Sequence, residues 1–177
     1  MIHKDTFKNI EFNGAKGLIF IGDKILVYRR DKNTNKLPGY IDMIGGGREE
    51  NESPFETFKR EVKEETGLDI TTDDIQFSCP FQSYDDPTKI SFFFVTKPLK
   101  IIKSEVKFGN EGVEWMLMTP EEFIHRPDGI ERQQKRVRDY LDGKLIPYVR
   151  PRGTTEPNPK KAIIGYLYRN DFLVMVS

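Results

Sequence analysis

Apolar positions along this chain fall into two rhythms: one helical stretch near residue 60, and short β-branched and aromatic runs on either side of it. At roughly 100° per residue, Phe55, Phe58 and Val62 form a single stripe that should face a core. Ser53 suits the N-cap, Pro54 the first helical position, and Glu56 completes a capping box with Ser53. Gly67 is expected to end this helix in the left-handed region. Upstream, residues 1–13 read as a poorly specified lead-in, and Gly17–Phe20 and Lys24–Arg29 flank Gly22-Asp23 as a tight hairpin. Asp31–Tyr40 is a polar loop able to reach over a ligand, and the apolar segment Tyr40–Ile44 runs into a glycine loop, Gly45–Gly47. Downstream, Ile75–Gln82 and Ile90–Thr96 have the composition of strands. Gly112–Met118 predicts another, and Thr119-Pro120-Glu121-Glu122 opens a short helix with a second capping box. A further helix is expected from Asp128 or Gly129 to Gly143. The class this predicts is α/β: an α/β/α sandwich with a mixed β-sheet between helices.

The helix over 54–66 also carries chemistry. Glu61, Glu64 and Glu65 fall at i, i+3 and i+4, on an arc of about 100° flanking the apolar stripe. Three carboxylates so placed repel each other by roughly 0.2–0.5 kcal/mol per pair. A hard divalent cation with oxygen ligands would offset that cost. Glu65 lies nearest the stripe and should be partly desolvated. The glycines at 45–47 allow the backbone to approach a ligand closely. The competing reading is a solvated acidic helix laced by i, i+4 pairs such as Arg60 with Glu64.

Residues 46–68, GGREENESPFETFKREVKEETGL, resemble the Nudix box, Gly-x5-Glu-x7-Arg-Glu-U-x-Glu-Glu-x-Gly-U, where U is a bulky aliphatic residue. Gly46, Glu52, Arg60, Glu61, Val62, Glu64, Glu65, Gly67 and Leu68 fill every fixed position. Flanking patterns extend the likeness from about Gly14 to Gly143. The resemblance implies hydrolysis of a phosphoanhydride in a nucleoside diphosphate linked to another moiety, assisted by Mg²⁺ or Mn²⁺. It makes Glu61 and Glu65 metal ligands, Glu64 a further ligand or the general base, and the Gly45 carbonyl a completing ligand, with Gly46 in the substrate cradle. Arg60 would orient Glu52 through a charge-assisted bond. Metal ions in such a site neutralise the diphosphate and lower the pKa of a bound water, and a carboxylate takes its proton.

Other residues are drawn in by the same likeness. Glu111, between Gly109 and Gly112, resembles a loop carboxylate that adds a ligand or base in the nucleoside-triphosphate branch, with Glu114 as the alternative. Arg29 resembles a strand-end arginine that contacts substrate phosphates, and Arg30 beside it is the alternative. Tyr84 has the spacing after Leu68 associated with dinucleoside polyphosphate hydrolases. Pro80 and Pro87 miss the spacing associated with ADP-ribose hydrolases. The expected function is therefore Mg²⁺-dependent cleavage of a nucleoside triphosphate, oxidised ones included. Nucleotide sugars or ADP-ribose and dinucleoside polyphosphates are competing substrates. A non-catalytic nucleotide-binding module of the same fold is disfavoured because every box carboxylate is retained.

Composition narrows the partners. Lys+Arg and Asp+Glu both number 28 in 177 residues, so no net field attracts nucleic acid or an anionic membrane. A small nucleotide is the expected partner. The basic run Arg132–Arg138 reads as a solvated helix face rather than an RNA contact, and His125 as a helix C-terminal cap. Cys79 is the single cysteine, which excludes an intrachain disulfide and suits a reducing cytoplasm. Neither a signal peptide nor an apolar run of about 18 residues is found. The expected organisation is a catalytic domain over 1–145, a proline-rich linker over 146–161 and a hairpin-like extension over 162–177. A lone hairpin is marginal in water, so the extension should dock on its own domain or at a homodimer interface.

Overall fold

The structure, a computed structural model, describes residues 12–82, 90–101, 106, 107, 109 and 112–145. The linker, the C-terminal extension, Tyr84 and Glu111 lie outside these described residues. Seven strands form one mixed sheet: β1 (Phe12–Leu18), β2 (Phe20–Ile21), β3 (Lys24–Arg29), β4 (Ile41–Gly47), β5 (Ile75–Gln82), β6 (Ile90–Thr96) and β7 (Glu114–Met118). Their order is β2-β3-β4-β1-β6-β5, and β7 also pairs with β3. β1 and β6 run parallel, and the other pairs are antiparallel. Three helices accompany the sheet: α1 (Pro54–Thr66), α2 (Pro120–Ile124) and α3 (Glu131–Leu141).

The sheet is covered on both faces, so β3 and β6 read as continuous apolar runs instead of alternating ones. Phe58 and Val62 of α1 pack with Leu26, Tyr28, Ile44, Phe92 and Phe94 in one cluster. Phe123 and Ile124 of α2 and Val137 of α3 pack with Ile25, Val27, Ile41, Met43, Phe93 and Val95 in a second. Neighbouring residues of β3 and β6 thus serve opposite cores, which gives the expected α/β/α sandwich. Phe55 completes the predicted stripe on α1, half-buried against the first cluster. The Ser53–Glu56 capping box forms in both directions, and Gly67 ends the helix at φ 73°. Thr119 and Glu122 repeat the capping box on α2, whose C-cap is His125, as expected.

Among the described residues β5 ends the strand order. That position tolerates Pro80, which cannot donate to a ladder. Its neighbour Cys79 is buried in the second cluster, and burial pushes the thiol up to about 12.

Three expectations change. β1 begins at Phe12, inside the supposed lead-in. Gly14 and Gly17 weaken its strand signal locally, yet they are required by its central place: a Cβ at Gly14 would strike the Gly46 carbonyl, and one at Gly17 would lie 2.5 Å from the Phe94 carbonyl oxygen and 2.6 Å from the Phe58 ring. The glycines at 45–47 close β4 as strand residues paired to β1, rather than forming a loop. Finally, α3 starts at Glu131, because Asp128–Ile130 is spent on backbone pairing with Ile41 (Ile41 N–H to Asp128 O 2.8 Å, Ile130 N–H to Ile41 O 3.1 Å).

Candidate active site

Strand β4 delivers the glycines and α1 the carboxylates to one edge of the first core, where Arg60 binds them together. Its Nε donates to Glu52 Oε1 at 2.7 Å, Nη1 to Glu61 Oε1 at 2.8 Å and Glu64 Oε2 at 3.2 Å, and Nη2 to the Gly47 carbonyl at 2.8 Å. Glu52 also accepts from Thr57 Oγ1 at 2.8 Å and from the Glu49 N–H at 3.0 Å. Burial raises the Glu52 carboxyl, but the Arg60, Glu49 and Thr57 bonds together outweigh it and hold the group below its usual range. Glu52 in turn, with Glu61, raises the Arg60 guanidinium above its usual value against the effect of burial. The expected Arg60–Glu52 contact is therefore present, and so is the i, i+4 pair with Glu64. Both readings of this helix contribute, since Glu64 is the exposed member of the trio.

Glu61 and Glu65 are the buried members. Glu61 lies against Gly46, where an added Cβ would fall 2.6 Å from the carboxyl carbon. Glu65 is 3 % exposed. Its Oε2 accepts from the Gly45 N–H at 2.9 Å, while Oε1 is buried without a hydrogen-bond partner. Burial pushes this carboxyl up to about 8, opposed by the charge of Lys16 and the Gly45 bond. An unsatisfied buried carboxylate oxygen is costly, and a hard cation is the partner that such an oxygen fits. Among the described residues no three acidic, imidazole or thiol groups converge as a closed cage. Glu61 and Glu64 turn toward Arg60 instead.

The Gly45 carbonyl, expected as a ligand, accepts from Lys16 Nζ at 2.7 Å. Lys16 and Gly45 are register partners in β1 and β4. The same ammonium reaches the Met43 carbonyl at 3.1 Å and Asp42 Oδ2 at 3.0 Å. Asp42 is 1 % exposed, and its Oδ2 also accepts from Arg30 Nη1 at 3.1 Å. Lys16, Arg30 and Asp42 open onto a cleft of about 260 Å³ whose wall includes Gly45–Gly47 and whose other charged residues are Lys36, Arg132 and Arg136. Among the described residues, five cations thus face one acid.

The basic run on α3 is accordingly only partly solvated. Lys135 and Arg138 are exposed, but Arg136 is buried at 7 %, with its guanidinium carbon 3.4 Å from the Phe81 ring centroid and Nη1 bonded to Gln133. Arg29 is tied elsewhere, to Asp128 at 3.0 Å, Gly39 O at 2.9 Å and Glu114 at 3.2 Å. It does not line the cleft, and its neighbour Arg30 does. Sequence reasoning passed over Lys16 and Asp42, and it read Arg136 as part of a solvated face. The available signal was a charge inside an apolar strand run, Lys16 within β1 and Asp42 within β4.

A profile of the NUDIX domain matches residues 13–140, most of the chain. The chain belongs to the NUDIX domain family. Membership makes it a hydrolase of the pyrophosphohydrolase kind, with its box carried by β4 and α1. No curated protein matches the sequence. Solved Nudix structures share the fold at low identity. A MutT protein from Methanosarcina mazei is 22 % identical, with a TM-score of 0.60 over 76 % of this chain and 96 % of its own. An Ap4A hydrolase from C. elegans is 17 % identical, with a TM-score of 0.56 over 73 % of this chain and 96 % of its own. A bifunctional NMN adenylyltransferase/ADP ribose pyrophosphatase from Francisella tularensis is 16 % identical, with a TM-score of 0.57 over 78 % of this chain and 42 % of its own.

Proposed function

We propose that this Nudix protein is a divalent-cation-dependent pyrophosphohydrolase acting on nucleoside triphosphates, oxidised ones included. The observation that carries the metal dependence is Glu65 Oε1, a buried acid oxygen without a partner beside the Gly45–Gly46 backbone and Glu61. Glu61 and Glu65 would hold Mg²⁺ or Mn²⁺. Such an ion, when bound, supplies charge neutralisation at the diphosphate and a water of lowered pKa. Arg60 keeps Glu61 and Glu52 oriented. Glu64, exposed and tethered to Arg60 at 3.2 Å, is the group to which this reading assigns the proton of the attacking water. Glu111 is retained as the second candidate base.

The cleft supports the choice of a polyphosphate. Lys16, Arg30, Lys36, Arg132 and Arg136 against Asp42 favour a substrate with negative charge beyond the scissile diphosphate over one ending in a neutral sugar. The same excess of cations suits a longer phosphate chain, so dinucleoside polyphosphates are the second reading. Incubation with Mg²⁺ and a panel of nucleoside triphosphates, nucleotide sugars, ADP-ribose and diadenosine polyphosphates, followed by product analysis, tests both. Fastest turnover of a nucleotide sugar or ADP-ribose would overturn the polyphosphate preference. Absence of turnover on the whole panel would favour the non-catalytic binding module.

A further inference from the structure

Gly45 is held through both of its backbone polar groups. Its N–H is given to Glu65 Oε2 at 2.9 Å and its carbonyl to Lys16 Nζ at 2.7 Å. Lys16 is half-buried, its side chain 19 % exposed, and three oxygens hold its ammonium in place: the Asp42 carboxylate and the Met43 and Gly45 carbonyls. This is an all-oxygen environment of one carboxylate and two peptide carbonyls, the donor set that also suits a hard metal ion. A positive charge therefore stands across one residue, Gly45, from the carboxylate assigned to the divalent ion. Like charges at such separation under partial burial repel far more strongly than in water.

We propose that Lys16 is a built-in competitor of the divalent ion: its ammonium occupies the Gly45 carbonyl and sets metal affinity below what Glu61 and Glu65 would otherwise give. The inference rests on the metal reading above and extends it to a residue outside the box. An ion that uses the Gly45 carbonyl meets the ammonium's charge there, and the lysine has somewhere to go. It lines the cleft, and Asp42 lies there to follow it. Removing the lysine does not strand Asp42, which keeps Arg30 on Oδ2 and the Met43 N–H on Oδ1 at 2.8 Å.

Mn²⁺ titration followed by electron paramagnetic resonance of the free ion, without any nucleotide, tests this directly. K16M is expected to bind Mn²⁺ at least about tenfold more tightly than the wild type, while K16R, which keeps the charge, stays within about threefold. E65Q is expected to bind at least about tenfold more weakly. Melting curves in chelator confirm that each variant is folded. Unchanged or weaker binding by K16M, with E65Q still impaired, overturns the role of Lys16 and leaves the metal site standing. Equal weakening in K16M and K16R also overturns it, since that is the signature of a lysine needed to shape the Gly45 peptide. If wild type, K16M and E65Q all fail to bind, the metal reading falls and this inference with it.

Discussion

Arg60 serves four acceptors from one planar group, Glu52, Glu61, Glu64 and the Gly47 carbonyl. A lysine keeps the charge but not the fork that fits several oxygens at once. R60K is therefore expected to lower turnover by about 10- to 100-fold, the usual cost of losing a group that orients a ligand, with the fold retained. Single-turnover kinetics of the folded variant check this. E61Q and E65Q are expected to cost at least about 10²-fold in turnover, through lost charge stabilisation in the transition state. Glu65 has a second signature. In chelator the folded chain keeps its proton up to about pH 8, whereas the unfolded chain releases it near 4.5. The folded state then binds more protons across that window, so its stability falls as pH rises from about 4.5 to about 8. Melting curves at pH 5 and pH 8 should show a loss in the wild type that E65Q largely lacks. Asp128, drawn down to about 2 chiefly by Arg126, acts in the opposite sense but only below about pH 4, outside this window.

At the scale of elements, α1 was legible because its start and stop are written in adjacent residues. Ser53, Pro54, Glu56 and Gly67 each act within one turn, and S53A is expected to cost about 1 kcal/mol, measurable by chemical denaturation. β6 was legible for a similar reason, since its β-branched and aromatic residues are contiguous, and β5 because Ile75, Phe77, Cys79 and Phe81 alternate with polar residues or Pro80. β1 was not. Gly14 and Gly17 read as breakers, and only the packing of β1 between β4 and β6 explains them. G17A forces a methyl against the Phe94 carbonyl and the Phe58 ring, so a loss of about 1–3 kcal/mol is expected. The start of α3 was hidden likewise, because Ile130 pairs with Ile41 from a distant strand and lacks a side-chain cap. Of the site, the box half was visible as a spacing. The Lys16–Asp42–Arg30 half was not, because it exists only once β1 and β3 flank β4 in register.

For the molecule as a whole, equal numbers of acidic and basic residues conceal a local imbalance at the cleft. Raising salt from about 0.05 to about 0.5 M shortens the Debye length from roughly 14 to roughly 4 Å. KM for a polyphosphate substrate is expected to rise several-fold over that range while kcat changes little, and steady-state kinetics at fixed free Mg²⁺ will show it. Cys79 has a different whole-molecule use. It is the chain's one thiol, and it sits 3 % exposed on the outermost strand, its sulfur kept protonated by burial. Alkylating agents reach it only when the second cluster opens around it. Labelling of the unmodified protein, followed by mass spectrometry, therefore times how often that core opens.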